Sequence, residues 1–339
     1  MPTLQVESFS VDRSAITVIL PTCDRPGFLA AAVRSVMAQQ LVPEEVLVVD
    51  DGAAQSAEET LQPIMHGAGL LTRVIAGPRQ GPAAARNVGW QSARGQLIAF
   101  LDDDDLWHPR KLAWQASWLS HRPGLGLLGT QALRLPPSPA AAGADMGAVG
   151  RGADLPQAPA PPRPVSRWAL LRANRLPMSS VLVRRCCLEQ SGGFDEALPL
   201  DQDWDLWLRI AERWQVASLP APLTIYRIHP GQRSQDGAAM RLCEAEVMRR
   251  ALARAPGAQT GRWSCGGAPG ALWLRAAARR RLSWAHYRLG RVLLRRGEPA
   301  EAVREFRAAL SLSPLHPLVW GSLARCVLAA RALAGGVGP

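Results

Sequence analysis

Lysine is almost missing from this 339-residue chain: of its 39 basic residues only Lys111 is not an arginine. The bias runs through the whole chain and reads as composition rather than function. Cysteine is also sparse. The six (Cys23, Cys186, Cys187, Cys243, Cys265, Cys326) include no C-x-x-C pair and no regular spacing, which excludes a zinc site or a disulfide framework and makes a reducing cytoplasm the expected compartment. No apolar run reaches the roughly 18 residues of a membrane span. Met1–Ser14 has no apolar stretch and carries Glu7 and Asp12, so neither a secretory leader nor a membrane-integral chain is expected. With 47% hydrophobic and 20% charged residues, a wholly disordered or fibrous chain is excluded too.

What is present is uneven. The net charge of +11 sits wholly in the last third. Residues 1–235 are neutral, whereas residues 236–339 are Ala- and Arg-rich and basic, which predicts two modules divided after residue 235. The first alternates buried strands with amphipathic helices. Strands are expected at Ile16–Leu20, Val46–Val49, Thr72–Ile75 and Leu97–Leu101, with helices after Pro21 and over Pro82–Ala93. Such alternation implies an α/β fold, a mixed and mostly parallel sheet flanked by helices, with its ligand site at the carboxyl ends of the strands. Residues 135–165 are rich in Pro, Ala and Gly and read as a loop or insertion. A strand at Ser180–Val183, a helix around Asp205–Trp214 and apolar stretches at Ala217–Leu219 and Thr224–His229 complete the module.

Two acidic clusters fall at strand ends, Asp50-Asp51 and Asp102-Asp103-Asp104-Asp105. Four adjacent carboxylates repel one another unless a cation joins them, and carboxylate oxygens suit Mg²⁺ or Mn²⁺, which share their shell with phosphate. A solvated acidic loop is the plainer reading of the same residues, as a turn is for Asp50-Asp51-Gly52. In the basic tail, a repeat of 34 residues opening near Ser283 places Leu289-Gly290, Ala302, Phe306, Ala309 and Pro314 at the positions of a tetratricopeptide signature, with His286 where Trp is usual. The repeat covers about residues 283–316 and makes the tail a small all-α region.

Five blocks in order resemble family 2 nucleotide-sugar glycosyltransferases of the GT-A, Rossmann-like fold, over roughly residues 14–235. They are Val18-Ile19-Leu20-Pro21-Thr22-Cys23-Asp24-Arg25, Val48-Val49-Asp50-Asp51-Gly52, Gly81-Pro82-Ala83-Ala84-Ala85-Arg86-Asn87-Val88-Gly89, Phe100-Leu101-Asp102-Asp103-Asp104-Asp105-Leu106-Trp107, and Gly192-Gly193-Phe194-Asp195-Glu196 with Asp203-Trp204-Asp205-Leu206-Trp207. Cys23-Asp24 and Ala53-Ala54 depart from the family's usual residues, and Gln202 replaces the Glu before Asp203. The resemblance implies an inverting, metal-dependent transfer of a sugar from a nucleoside-diphosphate donor, a UDP-sugar foremost, to a hydroxyl of a glycan, lipid-linked or protein acceptor. A catalytically degenerate scaffold that recruits partners through its tail is the alternative.

In the roles so implied, Pro21, Thr22, Asp24, Arg25, Asp50, Asp51, Arg86, Asn87, Asp102 and Asp103 bind the donor. Asp104, Asp102 and His229 hold Mn²⁺ or Mg²⁺, and Asp203 is the catalytic base, with Asp201 and Asp205 as alternatives. Arg86 has a competing role as a salt bridge to the aspartate cluster. Trp107, Trp204 and Trp207 fit core packing better than sugar stacking. The tail has no nucleic-acid motif. Its arginines suit a peripheral contact with an anionic membrane on the cytoplasmic face, or a protein partner.

Overall fold

Seven successive residues rich in β-branched side chains form β1 (Ile16–Thr22), and all seven are buried, as expected of a strand covered on both faces. The computed structural model describes residues 16–52, 54–65, 70–136, 160–254, 269–316 and 318–326. The N-terminal segment, Ala53, Cys265 and residues 137–159 of the expected Pro/Ala-rich loop lie outside them. Two compact units are present. One comprises Met1–Ser166, Asn174–Ala197 and Arg209–Gly231, the other Arg167–Ala173, Leu198–Leu208 and Gln232–Pro339. The change in composition after residue 235 thus lies close to the last of these boundaries, but the second unit also takes two earlier segments.

After β1 come α1 (Pro26–Met37), β2 (Glu45–Asp50), α2 (Ala57–Met65), β3 (Leu71–Ala76), α3 (Pro82–Ser92) and β4 (Leu97–Phe100). Their strands pair in parallel in the order β3-β2-β1-β4. Pro82 opens α3 at its first turn, where a missing N–H costs nothing. Gly89 lets that helix lie close on the sheet, because a Cβ there would come within 2.5 Å of Ile19 Cγ2.

Next are β5 (Asp105–Trp107), α4 (Lys111–Ser120), β6 (Leu125–Leu135), β7 (Arg163–Pro164), α5 (Arg167–Arg172), β8 (Leu182–Arg184), α6 (Arg185–Ser191), α7 (Gln202–Ile210) and β9 (Gln215–Arg227). They extend the sheet as β4-β8-β6-β9-β5, with β7 on β9. β6 and β9 are parallel, whereas β8, β5 and β7 join antiparallel. The sheet is therefore mixed, as expected.

Three boundaries differ from expectation. The helix expected at 205–214 runs Gln202–Ile210, its acidic residues forming the first turn. A 3₁₀ turn at Met178–Ser180 delays β8 to Leu182. The two apolar stretches 217–219 and 224–229 are one strand, β9, which passes Pro220 and Pro222 by a shift of register opposite Thr130 and Gln131. Bulges are where a strand tolerates proline.

The core of this unit joins Val18, Leu20, Val46, Val48 and Ala99 to Trp107, Leu112 and Leu119. Lys111 is fully buried within it. Its Nζ donates to Gln115 Oε1 at 2.8 Å and lies 4.0 Å from the centre of the Trp107 ring. Burial pushes its pKa well below the ordinary lysine value.

In the second unit, α8 (Gly237–Ala253), α9 (Pro269–Arg295) and α10 (Pro299–Leu312) are helical, as the tail's composition predicts. Tyr287, Ala302, Phe306, Ala309, Val319 and Cys326 form its apolar cluster. Gly290 is needed there, since a Cβ would meet the Phe306 ring at 2.8 Å. His286, at the usual Trp position, instead pairs with Glu305 at 2.7 Å. Many arginines of this unit are spent internally. Buried Glu244 pairs with Arg241, Arg281 and Arg288, and Glu246 pairs with Arg249 and Arg250. Among the described residues no helix is long and apolar enough to cross a membrane.

Candidate active site

The carboxyl ends of β1 and β4 lie side by side, where the sheet order departs from β1 in both directions. That is the place at which open α/β sheets bind ligands. β4 delivers Asp102–Asp105 there. Ligand oxygens of Asp102, Asp104 and Asp105 lie within 4.8 Å of one another, close enough to converge on one hard cation. Asp102 Oδ1 accepts from Arg86 Nη2 at 2.5 Å, a salt bridge to the cluster. Asp104 Oδ2 lies 3.2 Å from Arg25 Nη1 and 3.0 Å from His229 Nε2, which brings His229 to the cluster. The His229 ring leans on Phe28, with centroids 4.9 Å apart.

Asp103 and Asp105 are buried, although a ligand oxygen of Asp105 stays close to those of Asp102 and Asp104. Asp103, expected to face the donor, accepts from Thr22 Oγ1 at 2.9 Å and Arg25 Nη1 at 3.2 Å and is 5% exposed. Burial and the neighbouring Asp104 push its pKa up to about 6. Burial, Asp104 and Asp102 likewise hold Asp105 well above the carboxylate range. The turn itself is tied by Arg227, a fully buried residue of β9. Its Nε donates to the Asp104 carbonyl at 2.6 Å and its Nη2 to the Asp103 carbonyl at 2.8 Å, while its guanidinium carbon lies 4.7 Å from the centre of the Phe28 ring. Sequence marks Asp105 only as one of four adjacent acids, and does not mark Arg227. The one signal was that Arg227 stands two residues before His229 in an otherwise apolar strand.

Several residues expected at the donor are tied into the framework. Pro21 is a buried strand residue opposite Val49 and reaches no surface. Asp24, at φ 54°, accepts from the backbone N–H groups of Ala54 and Gln55 at 2.8 and 3.0 Å. Asp50 accepts from Gly52 and Ala57, and Asp51 from Arg79 at 2.5 Å and Gly81 at 3.0 Å. These three carboxylates pin the loops that follow β1, β2 and β3. Asn87 is committed in the same way. Its amide donates to the Phe194 carbonyl and to Glu196, and its oxygen accepts from Phe194 N and Trp90 Nε1. All four bonds of an amide side chain are thus used, which fixes the Gly-Gly-Phe loop. Trp107, Trp204 and Trp207 are at most 4% exposed and serve packing.

The acidic residues of α7 also separate by environment. Asp205 is buried and paired with Arg254 at 3.1 Å, a structural role. Asp203 is half-buried in the first turn. Gln202, which replaces the expected Glu, donates to the carbonyls of Leu198 and Pro199 at 2.7 and 3.1 Å, contacts that an ionised Glu cannot make. Asp201 has φ 56°. Burial, with Asp203 and Glu244 nearby, pushes its pKa up to about 7 against the pull of Arg241 and Arg281. Between the unfolded value of about 3.9 and 7 the folded state therefore binds the extra proton, and stability falls as pH rises through that window. Asp201→Asn, which also tolerates positive φ, is expected to melt above wild type at pH 8, with the difference closing towards pH 4. A constant offset across this range, read by thermal unfolding, would contradict the assignment.

Comparison with known proteins agrees with this geometry. Residues 17–130 match the model of glycosyl transferase family 2, and residues 283–326 match a tetratricopeptide repeat. An uncharacterized glycosyltransferase of Nostoc sp. is 34% identical over 97 residues, 29% of this chain and 30% of that protein. The UDP-Glc:alpha-D-GlcNAc-diphosphoundecaprenol beta-1,3-glucosyltransferase WfgD of Escherichia coli is 33% identical over 110 residues, 32% of this chain and 42% of that one. The chain thus covers less than half the length of these relatives. Among solved structures, S. aureus TarS 1-349 in complex with UDP-GlcNAc aligns with a TM-score of 0.62 at 16% identity, over 92% of this chain and 88% of that one. The mannosyltransferase PcManGT from Pyrobaculum calidifontis, in complex with GDP-Man and Mn²⁺, aligns at 0.53 and 21%, over 94% and 86%. At such identities the likeness shows the fold. Sheet order, the strand-end acids and the matched segments converge: residues 17–130 are similar to glycosyl transferase family 2 and residues 283–326 to a tetratricopeptide repeat, within a fold like that of TarS and PcManGT.

Proposed function

We propose that the protein transfers a sugar from a nucleoside-diphosphate sugar, a UDP-sugar foremost, to a hydroxyl of a glycan or lipid-linked acceptor with inversion at the anomeric carbon. The observation that carries this reading is the convergence of Asp102, Asp104 and Asp105 at the switch point of the sheet. Their all-carboxylate set, with His229 against Asp104, suits Mn²⁺ or Mg²⁺. A cation held there supplies charge to the leaving diphosphate. Arg25 and Arg86 hold Asp104 and Asp102 in place and keep the cluster from spreading.

The acceptor oxygen bonds to the anomeric carbon as the bond to the diphosphate breaks, and its proton goes to a carboxylate. Asp203 is assigned that proton for its place in the acceptor block, and because Asp205 is spent on Arg254. WfgD is named for a diphosphoundecaprenol-linked acceptor, and TarS and PcManGT for complexes with UDP-GlcNAc and GDP-Man. These support the donor and acceptor classes, and with them a place at the cytoplasmic face of the membrane.

The test is nucleotide release from UDP-, GDP- and dTDP-sugars with Mn²⁺, Mg²⁺ or EDTA. One donor is expected to turn over with metal and to stop with EDTA, and Asp203→Asn is expected to lose about 10²–10⁴-fold. Failure of every donor to bind in the presence of metal would sink the reading in favour of the degenerate scaffold.

A further inference from the structure

A cleft of about 370 Å³ opens on the first unit beside β6 and β9, at the small end of the range for small-molecule sites. It owes its shape to the register shift, in which Thr130 pairs with Leu219 but Gln131 with Pro222. The two surplus residues of β9 splay the strands. Thr130, Gln131, Ser218 and Pro222 line it, together with Arg134 and Arg175, and among the described residues no acidic one does so. Both arginines are exposed, and among the described residues neither forms an ion pair. Arg134 rests on the Tyr226 ring, 5.6 Å from its centre. Two uncompensated guanidinium groups lining one concavity, with the Gln131 amide beside them, are the chemistry of a phosphate site.

Its position gives the phosphate an owner. Asp105 pairs with Tyr226, and Tyr226 with Arg134, so the three stand in one row across β5, β9 and β6. At about 4.8 Å per strand, Arg134 is about 10 Å from Asp105, beside the acidic turn but not in it. We infer that this cleft binds a phosphate group on the acceptor, within a sugar phosphate or sugar diphosphate. The inference rests on the transferase reading above. The donor's own diphosphate belongs at the carboxylates, which leaves the arginine cleft for the second substrate.

The test titrates the full chain, saturated with UDP and Mn²⁺, with N-acetylglucosamine 1-phosphate and with N-acetylglucosamine by calorimetry. The phosphorylated sugar is expected to bind at least tenfold tighter. The double variant Arg134→Gln/Arg175→Gln is expected to erase that preference, and Arg134→Lys/Arg175→Lys to keep part of it. Equal affinity for the two sugars in the wild type overturns the inference without any variant, and so does a preference that survives the double Gln exchange. A short-chain prenyl-diphosphate sugar distinguishes the source: tighter binding than the 1-phosphate assigns a lipid carrier, equal binding a water-soluble phosphate. UDP binding in the same titrations separates the two readings. If UDP does not bind, the transferase reading falls; if it binds and the phosphate preference is absent, only the cleft's assignment falls.

Discussion

Arg227→Ala is expected to destabilise the first unit by about 3–5 kcal/mol, the usual cost of removing one member of a buried charged cluster. Arg227 is fully buried and donates to the carbonyls of Asp103 and Asp104. Without it those two carbonyls lose the side-chain donor that ties the acidic turn. Arg227→Lys keeps the charge but cannot donate to two successive carbonyls from one planar fork, so an intermediate loss is expected. Urea unfolding measures both. A shift of less than about 1 kcal/mol in the alanine variant would mean that the acidic turn stands without its tether.

Asp104→Ala is expected to do the opposite: about 10²–10³-fold less donor turnover with no loss of stability. Asp104 is a cause of the raised pKa of both Asp103 and Asp105, so its removal relieves crowding. What is lost with it is an ion pair to Arg25, whose side chain is 32% exposed and which keeps Asp103, and the contact with His229; partly exposed pairs stabilise little. Turnover assays and thermal melts on one preparation check this. Lost activity together with a lower melting temperature would recast Asp104 as framework.

Much of the architecture was legible because it is local. The β-branched runs of β1, β2 and β4, Pro82 before α3 and the Gly290–Phe306 pairing each follow from residues near in sequence or at a fixed repeat spacing. The acids at the end of β4 were legible as a cluster, but which of them face outward was not. That depends on β5 pairing with β9 (Asp105 with Tyr226), 121 positions away in the chain. The contacts of Asn87 were not legible for the same reason, since its partners Phe194 and Glu196 lie 107 and 109 residues further on. Asp24 and Asp51 carry the residue types of a donor site, yet their oxygens hold backbone N–H groups 30 and 28 residues along.

The single lysine has a consequence for how the molecule can be handled. Lys111 is the only side-chain amine in the chain, and it is sealed between Trp107 and Gln115 with its basicity suppressed. Acylating labels and amine-directed crosslinkers therefore find no lysine on the native surface. When Lys111 does react, it reports that α4 has come away from the sheet, so a modification commonly used to decorate proteins becomes here a chemical clock for local opening.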